Sequence, residues 1–570
     1  MIYEGTPVSK GIAIGKVFLY EPFHAEVTED YFSEERLEEQ IARYKEALTK
    51  TEAELERIQA ALETAPAGKA EIFGAHIEIL HDDAMREEIM DCIVKERCLP
   101  DWAIWRIYGS YIKMLSEVDD PLIRERAADL QDVRNRLIRN WNNAGERNLS
   151  NLPEPVIVAA YDLLPSDTAT IDRKNVMAVV TEAGGMTSHS AIIARSYDIP
   201  ALLGVAGLME KLRHGQEVIV DAMEGRLILN PCDDEMKYYS GKMDAHLADK
   251  EAEGKFIYVQ PLMADGTRID IGLNIGSSSP AALEGSKYTD LVGLFRTEFL
   301  YMEKPALPGE QEQFEAYEKV LKEYSPRPVT IRTLDVGGDK TLECMKMPHE
   351  DNPFLGNMAL RLCFDKPNIF KTQIRALLRA SVYGNLWLML PMVGSIDDIR
   401  RAKSMIDDVR VELDREDIAY SPEVRIGIMV EIPSIALIAG IAAQEVDFAS
   451  IGTNDLCQYL TATDRLNPYV SGYYQSYHPA MFRIIGHVVE EFDRAGKPIC
   501  VCGEMGGDRL AVPVLVGLGL RKLSMGISSV ARIKRVLSTL TMERVARLAE
   551  AVKNLPTAAD VEAYLEKNIG

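Results

Sequence analysis

The sequence predicts a multidomain α/β protein. Its C-terminal half reads as a (β/α)8 TIM barrel, and its N-terminal half as an α/β domain interrupted by an all-α helical insertion. Three observations carry that prediction. The chain has 570 residues, several times the roughly 150 residues of one ordinary domain. From residue 256 onward, eight short apolar runs alternate with helical patterns. A block at residues 32–143, sparse in proline and glycine, has helical spacing and strand-like sequence on either side.

Taken in order, Gly11-Ile12-Ala13-Ile14-Gly15-Lys16-Val17-Phe18-Leu19 alternates as a strand does. Apolar residues then recur at three- and four-residue steps: Leu37, Ile41, Tyr44, Leu48, Leu55, Ile58 and Leu62. That period belongs to packed helices, and the block reads as a bundle of hairpins. Residues 28–98 hold 9 basic and 19 acidic side chains, a net −10. Such a run is either a solvated helix face or a surface that attracts a basic partner. Strand-like runs return at Pro155–Ala159, Val176–Val180 and Glu217–Asp221. The α/β domain is therefore expected at residues 1–31 and 144–232, with the insertion at 32–143. Residues 233–255 are polar with helical spacing and read as a linker helix.

The remaining residues, 256–570, contain the runs Ile269–Leu273, Leu291–Arg296, Val329–Leu334, Leu386–Met392, Arg425–Glu431, Phe448–Thr453, Pro498–Cys502 and Lys522–Met525. Eight units of this length suit a closed barrel. A doubly wound open sheet is the alternative, because periodicity does not reveal closure.

Composition excludes several functions. Lys plus Arg total 64 against 88 for Asp plus Glu, a net charge of −24, unlike the clustered positive charge that nucleic acid requires. No uncharged run approaches the ~20 residues of a membrane span, and the start lacks the basic and apolar segments of a secretory signal. Eight cysteines are too few for a disulfide framework in so long a chain, and Cys500-Val501-Cys502 is too close and isolated for a zinc site. A cytoplasmic protein is expected, with no nucleic-acid partner and no membrane insertion.

The unusual residues of the C-terminal half fall at strand ends: Arg296, Arg332 with Asp335 beyond it, Glu431, Asn454-Asp455 with Arg465, and Cys502. In a barrel this is the face where active sites form. Glu431 and Asp455 are hard oxygen ligands suited to Mg²⁺. Arg296, Arg332 and Arg465 are forked, permanent cations for phosphate or carboxylate, and Asn454 adds an amide donor. Cys502 is either a buried structural thiol or a proton donor.

A second motif, Gly184-Gly185-Met186-Thr187-Ser188-His189-Ser190-Ala191, follows a strand. Its glycines allow a turn, and its hydroxyl residues start a helix with His189 in the first turn, where backbone N–H groups favour negative charge. His189 is thus a structural histidine or a nucleophile whose phosphorylated ring those donors would stabilise. Thr168 is a candidate hydrogen-bond partner for the ring.

This histidine segment resembles the phosphohistidine motif of phosphoenolpyruvate-utilising enzymes. Ile451-Gly452-Thr453-Asn454-Asp455-Leu456 and Cys502-Gly503-Glu504 resemble that family's signature on the barrel. The domain order, with a helical insertion and no room for a nucleotide-binding domain before Gly184, is similar to the Enzyme I branch of the sugar phosphotransferase systems. The resemblance implies that His189 takes a phosphoryl group from phosphoenolpyruvate (PEP). Arg296 and Arg332 would clamp the substrate, Asn454 and Arg465 would hold its phosphate, and Glu431 with Asp455 would bind Mg²⁺. Cys502 would protonate the enolate to give pyruvate. It also implies onward transfer to a histidine of a small HPr-like carrier docked on the helical insertion, in sugar uptake, and a homodimer through the barrel. Two positions depart from the pattern. Met186 stands where an arginine is common, and Asn357-Met358 replaces Trp-Arg, leaving Arg361 nearby. Two other readings stay open: a dikinase-like enzyme with its nucleotide domain on a separate chain, and a non-catalytic PEP sensor.

Overall fold

The computed structural model describes residues 1–20, 27–62, 69–116, 121–142, 149, 152–163, 171–172, 174–184, 191, 194, 199–302, 306–337, 345 and 350–569. The chain divides into two compact units, Met1–Lys250 and Glu251–Gly570.

Among the described residues of the first unit, eight strands form one sheet. They are β1 (Ile2–Glu4), β2 (Thr6–Ser9), β3 (Ile12–Tyr20), β4 (Val156–Ala160), β5 (Val176–Thr181), β6 (Ala201–Leu203), β7 (Glu217–Asp221) and β8 (Arg226–Leu229), in the order β1-β8-β7-β3-β4-β5-β6-β2. The nine-residue β3 joins its two parts: Ile12–Lys16 run antiparallel to β7, and Val17–Tyr20 run parallel to β4. Every residue of β4 is buried, as expected for a strand covered on both faces. Among the described residues five helices intervene between β3 and β4: α1 (Leu37–Leu62), α2 (Lys69–Leu80), α3 (Asp83–Asp91), α4 (Pro100–Ser116) and α5 (Pro121–Trp141). They close on a core of their own that includes Tyr44, Leu55, Phe73, Ile104 and Leu137. Asp82 caps α3 by accepting from the N–H of Met85. The polar helix Asp233–Gly254 buries Tyr239 against Ile12, Ile219 and Ile228, so its first half packs onto the sheet.

The second unit is a closed barrel of eight parallel strands: β9 (Asp270–Ile275), β10 (Leu291–Phe295), β11 (Pro328–Arg332), β12 (Asn385–Leu390), β13 (Arg425–Val430), β14 (Phe448–Ile451), β15 (Ile499–Val501) and β16 (Lys522–Met525). Closure comes from β16 pairing with β9, Lys522 opposite Asp270 through Met525 opposite Leu273, which rules out the open sheet. The outer core lies between strands and surrounding helices. A separate inner cluster of Leu294, Trp387, Met389, Met429, Phe448 and Cys502 fills the barrel. The Trp387 and Phe448 rings pack with centroids 4.8 Å apart, in space left by Gly427, whose added Cβ would lie 2.5 Å from the Phe448 ring. Side chains alternate along a strand, so Arg296 shares the inner face with Leu294, and Glu431 with Met429. The apolar filling ends where the charged strand ends begin.

Candidate active site on the barrel

Arg332, the last residue of β11, is 4% exposed. Its guanidinium donates to Glu298 and lies 2.7 Å from Asp335 Oδ2, and its Nη1 reaches Met429 Sδ at 3.6 Å. Its backbone is fixed as well, because Thr297 Oγ1 donates to the Arg332 carbonyl at 3.0 Å, and Gln373 donates to Thr297 Oγ1 at 3.2 Å. Burial opposes the charge, but Asp335, Glu298, Glu431 and Asp455 outweigh it and hold the arginine above its ordinary value. Arg332 is a permanent, preoriented cation in a site ringed by carboxylates.

Glu431 follows β13 directly and is 1% exposed. Its Oε1 accepts from the Met392 N–H at 2.5 Å. Burial first, then Asp455 and Asp335, push its carboxyl well above the usual range, against Arg332 and the Met392 N–H. Glu431, Asp455 and Asp335 outnumber the one guanidinium of Arg332 that acts on Glu431, and a cation would offset that excess of negative charge. Asp455 lies in the first turn of the helix Thr453–Leu460 and pairs with Arg465 at 3.0 Å. Gln458 of the same helix accepts from the Arg465 N–H at 3.1 Å. Among the described residues no group of three or more His, Cys, Asp or Glu side chains is arranged to hold a metal. Two carboxylates remain, a donor set that fits a hard divalent cation completing its shell with substrate and water oxygens.

Cys502 follows β15, is buried, and directs Sγ to the Ile451 carbonyl at 3.7 Å. Burial pushes the thiol up to about 11, with Glu431 adding to the rise, while the neighbouring Ser450 hydroxyl and the charges of Arg332 and Arg296 pull the other way. Its carbonyl accepts from Asn274 Nδ2 at 2.8 Å, and Ser524 Oγ donates to Asn274 Oδ1 at 2.7 Å. Cys502 and Arg296 together line a cavity of about 490 Å³ with Asn274, Glu504, Asp508 and Arg532. Asn454 Oδ1 accepts from the Glu504 N–H at 3.0 Å, joining the ends of β14 and β15. The barrel thus gathers Arg296, Arg332, Glu431, Asn454, Asp455, Arg465 and Cys502 at one end. His189 and Thr168, and with them Met186, lie outside the described residues.

Comparisons with known proteins place the chain in a family. The family described as PEP-utilising enzyme, PEP-binding domain, matches residues 250–542. The N-terminal and mobile domains of PEP-utilising enzymes match residues 4–126 and 152–225. The phosphoenolpyruvate-protein phosphotransferase of Geobacillus stearothermophilus is 41% identical over 569 residues, 99% of this chain and 97% of its own. The chain belongs to the phosphoenolpyruvate-protein phosphotransferase family. The Bacillus subtilis (strain 168) phosphotransferase is 39% identical over 565 residues, 99% of each chain. An NMR solution structure of an Enzyme I protein is 38% identical over 43% of this chain and 99% of that one, with a TM-score of 0.39. As a member of this family the protein is a PEP-dependent protein phosphotransferase. No helix among its described residues is long and apolar enough to cross a membrane.

In this phosphotransferase, Met358 is buried with Ala359 and Met392, and Ile432 and Tyr459 pack against them. Arg361 does not replace the missing arginine freely, since its Nη1 donates to the Leu355 and Gly356 carbonyls, each at 3.0 Å. Sequence reasoning missed Glu298, Asn274 and Gln458. Glu298 had a visible signal, a third polar residue in the strand-end run Arg296-Thr297-Glu298, and Asn274 is a lone amide in an otherwise apolar strand. Gln458 had none.

Proposed function

We propose that the phosphotransferase runs its first half-reaction on this barrel face, with Arg296 and Arg332 clamping PEP and Asn454 and Arg465 holding its phosphate. The observation that supports it most directly is the joining of three arginines, two carboxylates and one neutral thiol at the same strand ends. A ring nitrogen of His189 attacks phosphorus, the P–O bond to the enolate breaks, and the N–P bond forms. The enolate carbon takes the Cys502 proton, giving pyruvate, and the thiolate left behind faces Ser450, Arg332 and Arg296, the groups that favour its charge. Arg332 meets the charge on the transferring group without rearranging, because Glu298 and Asp335 hold its guanidinium before substrate arrives. Glu431 and Asp455 would hold a divalent cation, assigned here as Mg²⁺, which would supply charge neutralisation to the substrate. The phosphoryl group then passes to a histidine of a small HPr-like carrier on the helical insertion, in the service of sugar uptake, with the chain acting as a homodimer through the barrel.

The test is to incubate the purified protein with labelled PEP and Mg²⁺, with and without EDTA. Acid-labile label on His189 that requires the metal is the expected result. No label, or metal-independent label, overturns the assignment.

A further inference from the structure

We propose that Tyr459 is a positioning residue that locks the two carboxylates Glu431 and Asp455 into one geometry, acting through a strained apolar cluster beside the site. The role rests on the reading that these carboxylates hold the cation. Tyr459 lies four residues after Asp455 on the helix Thr453–Leu460, so both side chains emerge from the same helix face one turn apart. Its hydroxyl donates to the Phe354 carbonyl at 2.7 Å and lies 4.0 Å from Met358 Sδ and 3.9 Å from Met392 Sδ. One side chain therefore ties the helix that carries Asp455 to the loops following β11 and β12.

Two residues of that cluster are non-glycine residues with left-handed backbone: Ala359 and Met392, each with φ 52°. Such conformations persist only where surrounding contacts hold them, and they gather at functional sites. Here the conformation has a visible consequence, because the N–H of Met392 is the donor to Glu431 Oε1. Ile432, the residue after Glu431, packs on the same cluster. The far side is closed by Gly337, with φ 113°, where an added Cβ would lie 2.8 Å from Met358 Cα. Tyr459 thus grips Asp455 through its helix, and Glu431 through the Met392 peptide. A tyrosine that merely filled space would not need its hydroxyl on Phe354.

The experiment measures Mn²⁺ binding to the full chain without substrate, by the loss of the free-ion paramagnetic resonance signal, alongside thermal unfolding. The proteins are wild type, Glu431→Gln, Tyr459→Phe, Tyr459→Leu and the double variant Tyr459→Leu/Met392→Gly. Tyr459→Phe loses one hydrogen bond and should weaken Mn²⁺ binding about fivefold, with little change in unfolding. Tyr459→Leu should weaken it further. Glycine adopts positive φ without a Cβ penalty, so adding Met392→Gly should return Mn²⁺ affinity towards wild type while lowering the unfolding temperature. A space-filling role predicts instead that the second truncation weakens Mn²⁺ binding further, with the unfolding temperature falling on either reading. Wild-type affinity in both Tyr459 variants, with binding lost in Glu431→Gln, overturns this inference alone, as does a double variant that binds no better than Tyr459→Leu. Unchanged binding in Glu431→Gln overturns the ligand assignment and the inference with it. Tyr459→Phe keeps the ring and carries the test should Tyr459→Leu fail to fold.

Discussion

Raising the pH separates two pictures of Cys502: a thiolate prepared by nearby arginines, and a thiol kept neutral by its surroundings. The side chain sits among Leu294, Trp387, Met389, Met429 and Phe448, and loss of water outweighs Ser450, Arg332 and Arg296 to move it from the ordinary 9.0 up to about 11. At about pH 8, roughly one thiol in a thousand is ionised, so the group is loaded as a proton donor. The folded state holds this proton more tightly than the unfolded chain does. Its contribution is therefore fully present below about pH 9 and is lost as pH rises through about 11, to the extent of about 3 kcal/mol. The assay compares wild type with Cys502→Ala by chemical denaturation and by ultraviolet thiolate absorbance at about pH 8 and again above about pH 10. The stability difference between the two proteins should shrink across that interval, and the absorbance missing from the variant should have its midpoint near 11. A Cys502 thiolate with its midpoint at or below about pH 9 would refute the burial argument. In single turnover, Cys502→Ala should bind PEP yet release pyruvate about 10²–10⁴ more slowly. Wild-type pyruvate release would remove Cys502 from the reaction.

Arg332→Leu leaves Glu298 and Asp335 buried beside a hydrocarbon, so the barrel should lose about 3–5 kcal/mol of stability; a variant that denatures like wild type counts against a buried ionic centre. Gly337→Ala forces a side chain into φ 113° and against Met358 and should cost about 1–3 kcal/mol, together with part of the Mn²⁺ affinity, measured by denaturation and by the same resonance assay. The net −10 of residues 28–98 predicts that a basic carrier associates more slowly as salt rises, because screening shortens to about 8 Å at physiological ionic strength. Stopped-flow association rates independent of salt would exclude electrostatic docking there.

The local patterns were legible in the sequence. Short, largely continuous apolar runs located the eight barrel strands to within a residue or two, because a strand buried on both faces is written as such a run in its own residues. Strand-end chemistry singled out Arg296, Arg332, Glu431, Asp455 and Cys502 for the same reason: a charged or reactive residue terminating an apolar run is visible without knowing its neighbours. His189 and Thr168 are still read from sequence alone, from a turn, a helix start and a family resemblance.

Only the tertiary structure decided closure, since nothing in Lys522–Met525 shows that its partner is Asp270–Leu273, some 250 residues earlier. It also decided protonation. The sequence left Cys502 as either a structural or a reactive thiol, and desolvation by side chains from β10, β12, β13 and β14 makes it a neutral one. The missing arginine at position 358 was apparent in the sequence, but the use of Met358 was not. Its packing with Met392 and Tyr459, and through Met392 the donor on Glu431, joins residues about a hundred positions apart. Backbone periodicity is set by covalent neighbours and survives in a linear reading, whereas burial, charge balance and backbone strain depend on segments that meet only when the barrel closes.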